Sequence, residues 1–436
     1  MARSRKNRSR SNTVPAEVLE DRKLLTGNVT AQLVGGQLSI QTDATYGVDE
    51  DVDLVSVGDN LQVRGLAGTT ITVVDENGNA QPPLASASFS LDDINRLYVR
   101  LGAGNDAVSL RRGSQARLVI SDIEFDLGAA GGDDRDRVIV YDIITTHLEI
   151  DTMGTTDDRD VIDLLNVRIT EQLEVRTGND RDVVNIENSR MGNADIETGG
   201  INNDGQDMDD VSLVDSIFGD IDLVMGVDND RVNIEGIEAR DVTIDTDNRS
   251  DSRLTGSDAI TIRGARIEDR LLMVTGSERE TTEVDSVSLS DVTVEGGVIL
   301  RTGGGWDRVQ ASQLTTGSSV YVVLGDGGSE VEMTGLDIGE RLDIGGDRGD
   351  DDITILDSDI RHALLLRTGD DEDSVLLDRV FQNTLLIEAG DSDDEVVLRR
   401  VYVYLASVDG EDGRDSLTLD NVYFRRGGDR DFETVN

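Results

Sequence analysis

The residues that could do chemistry in this chain are aspartates next to glycine turns. Around the middle of the chain the run L-E-V-R-T-G-N-D-R-D-V-V-N-I, Leu173 to Ile186, places Gly178, Asp180 and Asp182 between two stretches of alternating apolar residues. The same arrangement recurs with an acid two residues ahead of a Val, Leu or Ile: Asp106, Asp136, Asp160, Asp182, Asp209, Asp230, Asp258, Asp285, Asp307, Asp351, Asp373, Asp394 and Asp415, with Ser329 in the place of the tenth acid. Carboxylates interleaved with turn carbonyls suit a hard divalent cation such as calcium, which takes six to eight oxygen ligands. The candidate ligands are Gly102, Gly104, Asp106, Asp180, Asp182, Asp228, Asp230, Gly303, Gly305, Asp307, Asp371 and Asp373. A second chemistry fits the same residues without any ion. Gly tolerates positive φ and Asp bonds its own backbone, so both make good corners, and Arg135, Arg159, Arg181, Arg231, Arg308 and Arg414 supply counter-charge in or beside the turns. Both readings stand on the sequence.

Such turns need elements to hold them. Alternation of period 2 on both sides of a glycine turn means strand, turn, strand. The acids lie mostly 21 or 22 residues apart, with some steps of 24 to 30. A fixed period of this kind marks a solenoid in which each repeat packs on its neighbours. Each period carries three apolar patches. One precedes the turn (Leu97 and Val99, Ile123 and Phe125, Leu364 and Leu366), and one follows it (Val108 and Leu110, Val211 and Leu213, Val396 and Leu398). A third, shorter patch includes Ile143, Val167, Ile217, Ile237, Val292, Ile360, Val380 and Val401. Three strands in about 22 residues make a three-sided coil whose rungs pair in parallel. Val184, Val211, Val232, Val287, Val309 and Val375 should then form one internal stack. Fourteen rungs at the interstrand spacing give a rod of roughly 65 Å.

Composition narrows the function. The chain has 436 residues, 41 basic and 89 acidic, for a net charge of −48. Nucleic acid is excluded as a partner, because phosphates demand a basic face, and an anionic membrane surface is disfavoured for the same reason. Cations are the electrostatic favourites. Lys occurs only at Lys6 and Lys23, and there is no Cys, which removes disulfides, thiolate metal sites and Cys or Schiff-base catalysis. No apolar run is long enough to insert into a membrane. Catalytic candidates are few. His147 and His362 would lie roughly 43 Å apart on such a rod, no G-x-S-x-G or H-E-x-x-H motif occurs, and Trp306 is the sole Trp. Clusters such as Asp133-Asp134-Arg135-Asp136 read as ion-paired corners.

The coil length resembles that of the right-handed parallel β-helix of pectate-lyase-like and adhesin proteins. That resemblance implies an all-β fold of about fourteen three-strand coils, right-handed, with an N-terminal β cap; hexapeptide repeats of the left-handed kind are absent. Gly102-Ala103-Gly104-Asn105-Asp106-Ala107-Val108 and Gly303-Gly304-Gly305-Trp306-Asp307-Arg308-Val309 resemble the hemolysin-type (RTX) calcium repeat. This implies that Asp106 and Asp307 donate side-chain oxygens and the glycines donate carbonyls. Other turns depart from the motif: Asp180, Asp228 and Asp371 stand where its second Gly belongs, and the turn appears once per coil instead of back to back.

Residues 1–25 are different material, a basic start followed by Leu19-Glu20-Asp21-Arg22-Lys23-Leu24-Leu25. This string resembles the Leu-Glu-Pro-Arg-x-Leu-Leu segment that opens many large exported bacterial proteins built from β repeats, with Asp21 in place of Pro. It implies an extracellular or cell-surface location. The domain reading is a disordered basic export segment (1–25), a β-rich cap (26–100), the β-helix (101–425) and a C-terminal tail (426–436), whose acidic sequence resembles an uncleaved secretion tail. The function expected is a structural, adhesive or matrix role without enzymatic activity, with calcium bound along the turns and a polysaccharide or a surface or matrix protein as macromolecular partner. The alternative is a carbohydrate-active enzyme, a polysaccharide lyase or glycoside hydrolase, on the same scaffold.

Overall fold

The computed structural model describes residues 27–42, 48–114, 117–128, 135–153, 159–179, 181–199, 208–226, 229–247, 256–276, 284–430, 432 and 434–435. It is an all-β solenoid: 38 strands join in one continuous, mostly parallel system, and a single 3₁₀ turn, Leu91–Asp93, is the only helical element among the described residues.

Three parallel ladders run through the chain. The first face holds the strand that follows each acid, for example Ala107–Arg111, Val183–Glu187 and Ser286–Ser290. Its register is unbroken: Val108, Val138, Ile162, Val184, Val211, Val232, Ile260, Val287, Val309, Val331, Ile353, Val375, Val396 and Leu417 pair in succession. The expected valine stack is therefore present, and each of its members is at most 1% exposed. β-branched side chains suit this position, because stacked at the interstrand spacing they fill the interior without rotamer loss.

The second face is short, as in Thr293–Val294, Thr315–Thr316 and Asp337–Ile338. The third carries Asp122–Asp126, Asn193–Glu197 and Gly297–Arg301. Some coils run the faces together, most extensively in Asp352–Arg367 and Ser374–Glu388. Of the third apolar patch, Ile217 departs from expectation. It occupies the outward register position and is half-buried, while its neighbour Phe218 turns inward. The parity of the face is unchanged there: Ile217 pairs in register with the outward Arg190 and Glu238, and the polar Ser216 takes the buried place before it.

One corner has a simple local cause. Between the first and second faces the chain turns on a single left-handed residue: Asn166, Asn188, Asp215, Asp291 and Asp357 have φ of 46–55°, and Gly236, Gly264 and Gly335 have φ of 63–68°. These are the residue types that enter this region at least cost, although Gln313, Arg379 and Arg400 hold the same corner at φ of 53–56°.

At the start of the chain, Asn28–Val34 and Gln37–Thr42 form a hairpin, and Asp51–Val57 pairs antiparallel with Asn60–Gly65. Gln37–Thr42 then stacks in parallel on Arg96–Arg100, and Asp51–Val57 on Ala107–Arg111. These strands thus set the register of the third and first faces. At the other end, the boundary read at residue 425 falls inside Tyr423–Arg430, which stacks in parallel on Tyr402–Asp409.

Candidate functional site

The recurrent acids form a column, and it lies inside the coil. Asp106, Asp182, Asp230, Asp307 and Asp373 are 0–4% exposed, as are Asp136, Asp160, Asp209, Asp258, Asp285, Asp351, Asp394 and Asp415. Parity explains this. Asp106, Val108 and Leu110 alternate along one strand, so the carboxylate points the same way as the core side chains. In each case Oδ1 accepts a hydrogen bond from the backbone N–H of the equivalent residue one coil earlier. The chain of bonds starts with the amide of Glu50 donating to Asp106, passes through every acid to Asp307, resumes with Ser329 donating to Asp351, and ends with Asp394 donating to Asp415. The distances are 2.7–3.0 Å. Ser329, too short to supply the carboxylate, interrupts the column between Asp307 and Asp351.

The backbone reciprocates. The carbonyl of each ladder residue accepts the amide that follows the ladder residue of the next coil, as in Arg137 to Asp106 and Arg308 to Asp285, both 2.8 Å. Each junction except that between Asp307 and Ser329 is thus closed by two bonds at a corner where the strand has not yet begun, and where backbone groups would otherwise be buried without partners. A threonine column lies beside the acids. Thr177, Thr198, Thr246, Thr275, Thr302 and Thr368 are at most 2% exposed. Thr246 Oγ1 donates to Asp258 Oδ2 at 2.5 Å, whereas the hydroxyls of Thr177, Thr302 and Thr368 donate to the carbonyls of Thr198, Leu324 and Ala389.

Charge is expensive in this column. Burial is the largest influence on every shift: Asp285 is pushed up to about 9, Asp351 to about 8, Asp394 to about 7, and Asp307 and Asp373 to about 6. Asp182 is raised well above its ordinary value, first by burial and then by repulsion from Asp209 and Asp160. Hydrogen bonds from the amides act in the opposite direction without cancelling the desolvation.

The turn residues expected to bind calcium separate into three groups. Asp180 and Asp228 lie outside the described residues. Asp106, Asp182, Asp230, Asp307 and Asp373 face inward, so they do not stack as an outer edge, and one oxygen of each is held by an amide. Gly104, Gly303 and Gly305 are buried with φ of 145°, 90° and 126°, Gly102 is half-buried, and Asp371 is exposed at φ 85°. Asp371 Oδ2 accepts the amide of Gly349 at 3.1 Å. Close by, Arg348, Asp370, Asp391 and Asp412 pair in register along the outside of the last turns, an acidic column set outside the buried one. Among the described residues, no group of three or more His, Cys, Asp or Glu side chains is arranged to hold a metal ion.

The remaining candidates are dispersed. His147, on the third face, is exposed between Asp122 and Glu171, each 2.9 Å from a ring nitrogen, and its pKa is raised mainly by the Asp122 hydrogen bond. His362 lies many strands further on, within Asp352–Arg367. Trp306 is 54% exposed at its turn.

A feature absent from the sequence reading is a column of aromatic rings. On the second face, Phe381, Tyr402 and Tyr423 pair in register and stack with centroids 6.2 and 5.1 Å apart. The signal was available, because their spacing of 21 residues equals the coil period. No family model matches the chain, and no curated protein matches it.

Proposed function

We propose that this protein is an exported structural rod: a right-handed parallel β-helix of about fourteen coils that serves at the cell surface or in the extracellular matrix as a spacer or adhesive element. The observation that supports this most is the carboxylate–amide column. It continues through the coils from Glu50 to Asp415 with one interruption and fixes each coil to the next by the same two bonds, which is the construction of a stiff rod. Export rests on the Leu19 to Leu25 segment, which lies outside the described residues.

Calcium belongs to this proposal at the outer turns, where Asp371 lies beside the column of Asp370, Asp391 and Asp412, more readily than within the buried column, whose Oδ1 atoms are occupied. Ions that bind the folded coil and not the open chain raise stability by RT ln(1 + [L]/Kd) per site. Extracellular calcium modules bind at about 10⁻⁴ to 10⁻³ M, so millimolar calcium should add roughly 0.4–1.4 kcal/mol per occupied site. Magnesium should replace it poorly. The test is urea unfolding in calcium, magnesium and sodium at matched ionic strength. Equal stabilisation by sodium would show that the edge needs only screening and would remove calcium from the proposal. Normal export of a chain lacking residues 1–25 would remove the export reading.

A further inference from the structure

The third face of the rod changes character partway along its length. Its central outward column keeps register from coil to coil, and Glu124, Glu149, Glu174, Asp195 and Asp222 follow one another there. Thr243 comes next, and then the column turns apolar: Leu272, Ile299, Tyr321, Leu365 and Leu386, with Asp343 the one charged residue among them. Val323 and Leu405 widen this stretch at its edges; they are 40% and 46% exposed, and Tyr321 is 36% exposed. Asp343 does not break the stretch. Arg341 at 3.5 Å and Arg367 at 3.0 Å hold its carboxylate, and its side chain is only 17% exposed. Arg341 also covers the Tyr321 ring at 5.5 Å from its centroid. Apolar side chains that point out of a sheet coil after coil mark an interaction surface.

The sheet itself limits what can cover them. The strands of this stretch pair in parallel with the coils on both sides, so a partner cannot join them as a further strand and must lie flat across the side chains. The stretch spans seven coils, from Arg266–Val274 to Tyr402–Asp409. At the interstrand spacing that is roughly 34 Å along the rod, by roughly 17 Å across a five-residue strand. Covering it on both partners buries roughly 1,100 Å², just past the ~1,000 Å² that a specific interface needs. A second copy of the chain presents a flat apolar face of this same size.

Charge fixes the direction of that copy. Two copies laid parallel would set one acid column against the other. Repulsion is already felt inside a single chain, where Asp222 is held above the usual carboxylate range first by burial and then by Asp195. Two copies laid antiparallel, about an axis midway between Leu272 and Leu386, place apolar coils on apolar coils and carry the two acidic stretches to opposite ends. We propose that the protein forms an antiparallel dimer in which the Leu272 to Leu405 stretch of the third face packs on the same stretch of a second copy. The contact is isologous, two sheets face to face about 10 Å apart. It requires the rod alone and is independent of export and of adhesion.

The experiment is sedimentation velocity of the full chain between about 1 and 100 μM, in EDTA so that calcium cannot bridge the acids. A dimer should form as concentration rises. Ile299→Arg and Leu365→Arg should each weaken it at least tenfold, and both should melt with the wild type at the lowest concentration. The chain has no Cys, so a single introduced thiol can be spin-labelled without side reactions. Labels on Asp195→Cys and Thr243→Cys, both outside the contact, should lie roughly 50 Å and roughly 34 Å from their counterparts in the dimer. These distances are read by pulsed electron paramagnetic resonance and leave the apolar stretch unaltered. A parallel pair would bring both within roughly 20 Å. A chain that stays monomeric, association undiminished in both arginine variants, or two short distances overturns the proposal. Binding of neutral phosphatidylcholine vesicles by a chain that remains monomeric also overturns it and assigns the face to a lipid surface.

Discussion

Asp285→Asn should stabilise the protein at neutral pH and lose that advantage in acid. Asp285 is 1% exposed. Its Oδ1 accepts the Asp258 amide at 2.8 Å, and its own amide donates to Asp307 at 3.0 Å. Burial, followed by repulsion from Asp258, pushes its pKa up to about 9 from an ordinary 3.8. Between those two values the folded protein binds a proton that the unfolded chain does not, so stability falls as pH rises through the window. At pH 7 the uptake costs about 1.36 × (7 − 3.8), or about 4 kcal/mol. The asparagine keeps the acceptor oxygen and removes the ionisation. Its NH₂ replaces Oδ2 and, if left short of an acceptor, costs about 1–3 kcal/mol, for a net gain of about 1–3 kcal/mol at pH 7. Whatever the amide costs, the difference between variant and wild type should change by about 4 kcal/mol between pH 4 and pH 7. Urea unfolding of both proteins at pH 4, 5.5 and 7, in EDTA, measures this without altering ionic strength. A difference independent of pH would mean that Asp285 stays ionised and compensated in the fold, and the account of the column would be wrong.

Three further outcomes follow from the same geometry. Val287→Asp places a carboxylate at a 1% exposed position in the middle of the valine stack and should cost about 3–5 kcal/mol in urea unfolding. Ser329→Asp completes the column but sets a third carboxylate between Asp307 and Asp351; it should lower stability by about 1–3 kcal/mol at pH 8 and leave it nearly unchanged at pH 5, read from the same titration. Gly390→Ala should lower the melting temperature, because φ is 102° there and a Cβ would stand 1.6 Å from the Gly369 carbonyl oxygen, a strain of about 1–3 kcal/mol before any clash.

The architecture was legible because the apolar period survives every insertion: Val184, Val211 and Val287 can be found by counting two residues from an acid, and they stack as counted. The orientation of the acids was open to the same counting. Asp182, Val184 and Ile186 share parity, so the carboxylate had to point inward, but the glycines of the turn drew it into an outer edge. Asp and Gly look alike in a turn whether they hold an ion or a backbone amide, and only the neighbouring coil, 22 residues away at Asp160, shows which. The left-handed corner was hidden for another reason. Asn166, Asp215, Gly236 and Arg379 share a backbone conformation and no side-chain chemistry, so no residue pattern marks them. Phe381, Tyr402 and Tyr423 keep the period but lie outside the core, where apolar counting does not look.

The two bonds that close each junction have a consequence for the length of the molecule. Every coil from Asp106 to Asp415 except that of Ser329 offers the same carboxylate acceptor to the coil before it, and each offers the same carbonyl to the coil after it. A coil copied or deleted as a unit would therefore meet matching partners on both sides, whichever position it came from. Reach becomes a quantity that a lineage can adjust in steps of one strand spacing, by slippage or unequal recombination within the gene, with no redesign of the interior. The stacked rings of Phe381, Tyr402 and Tyr423 would stay intact through any such change in the coils before them.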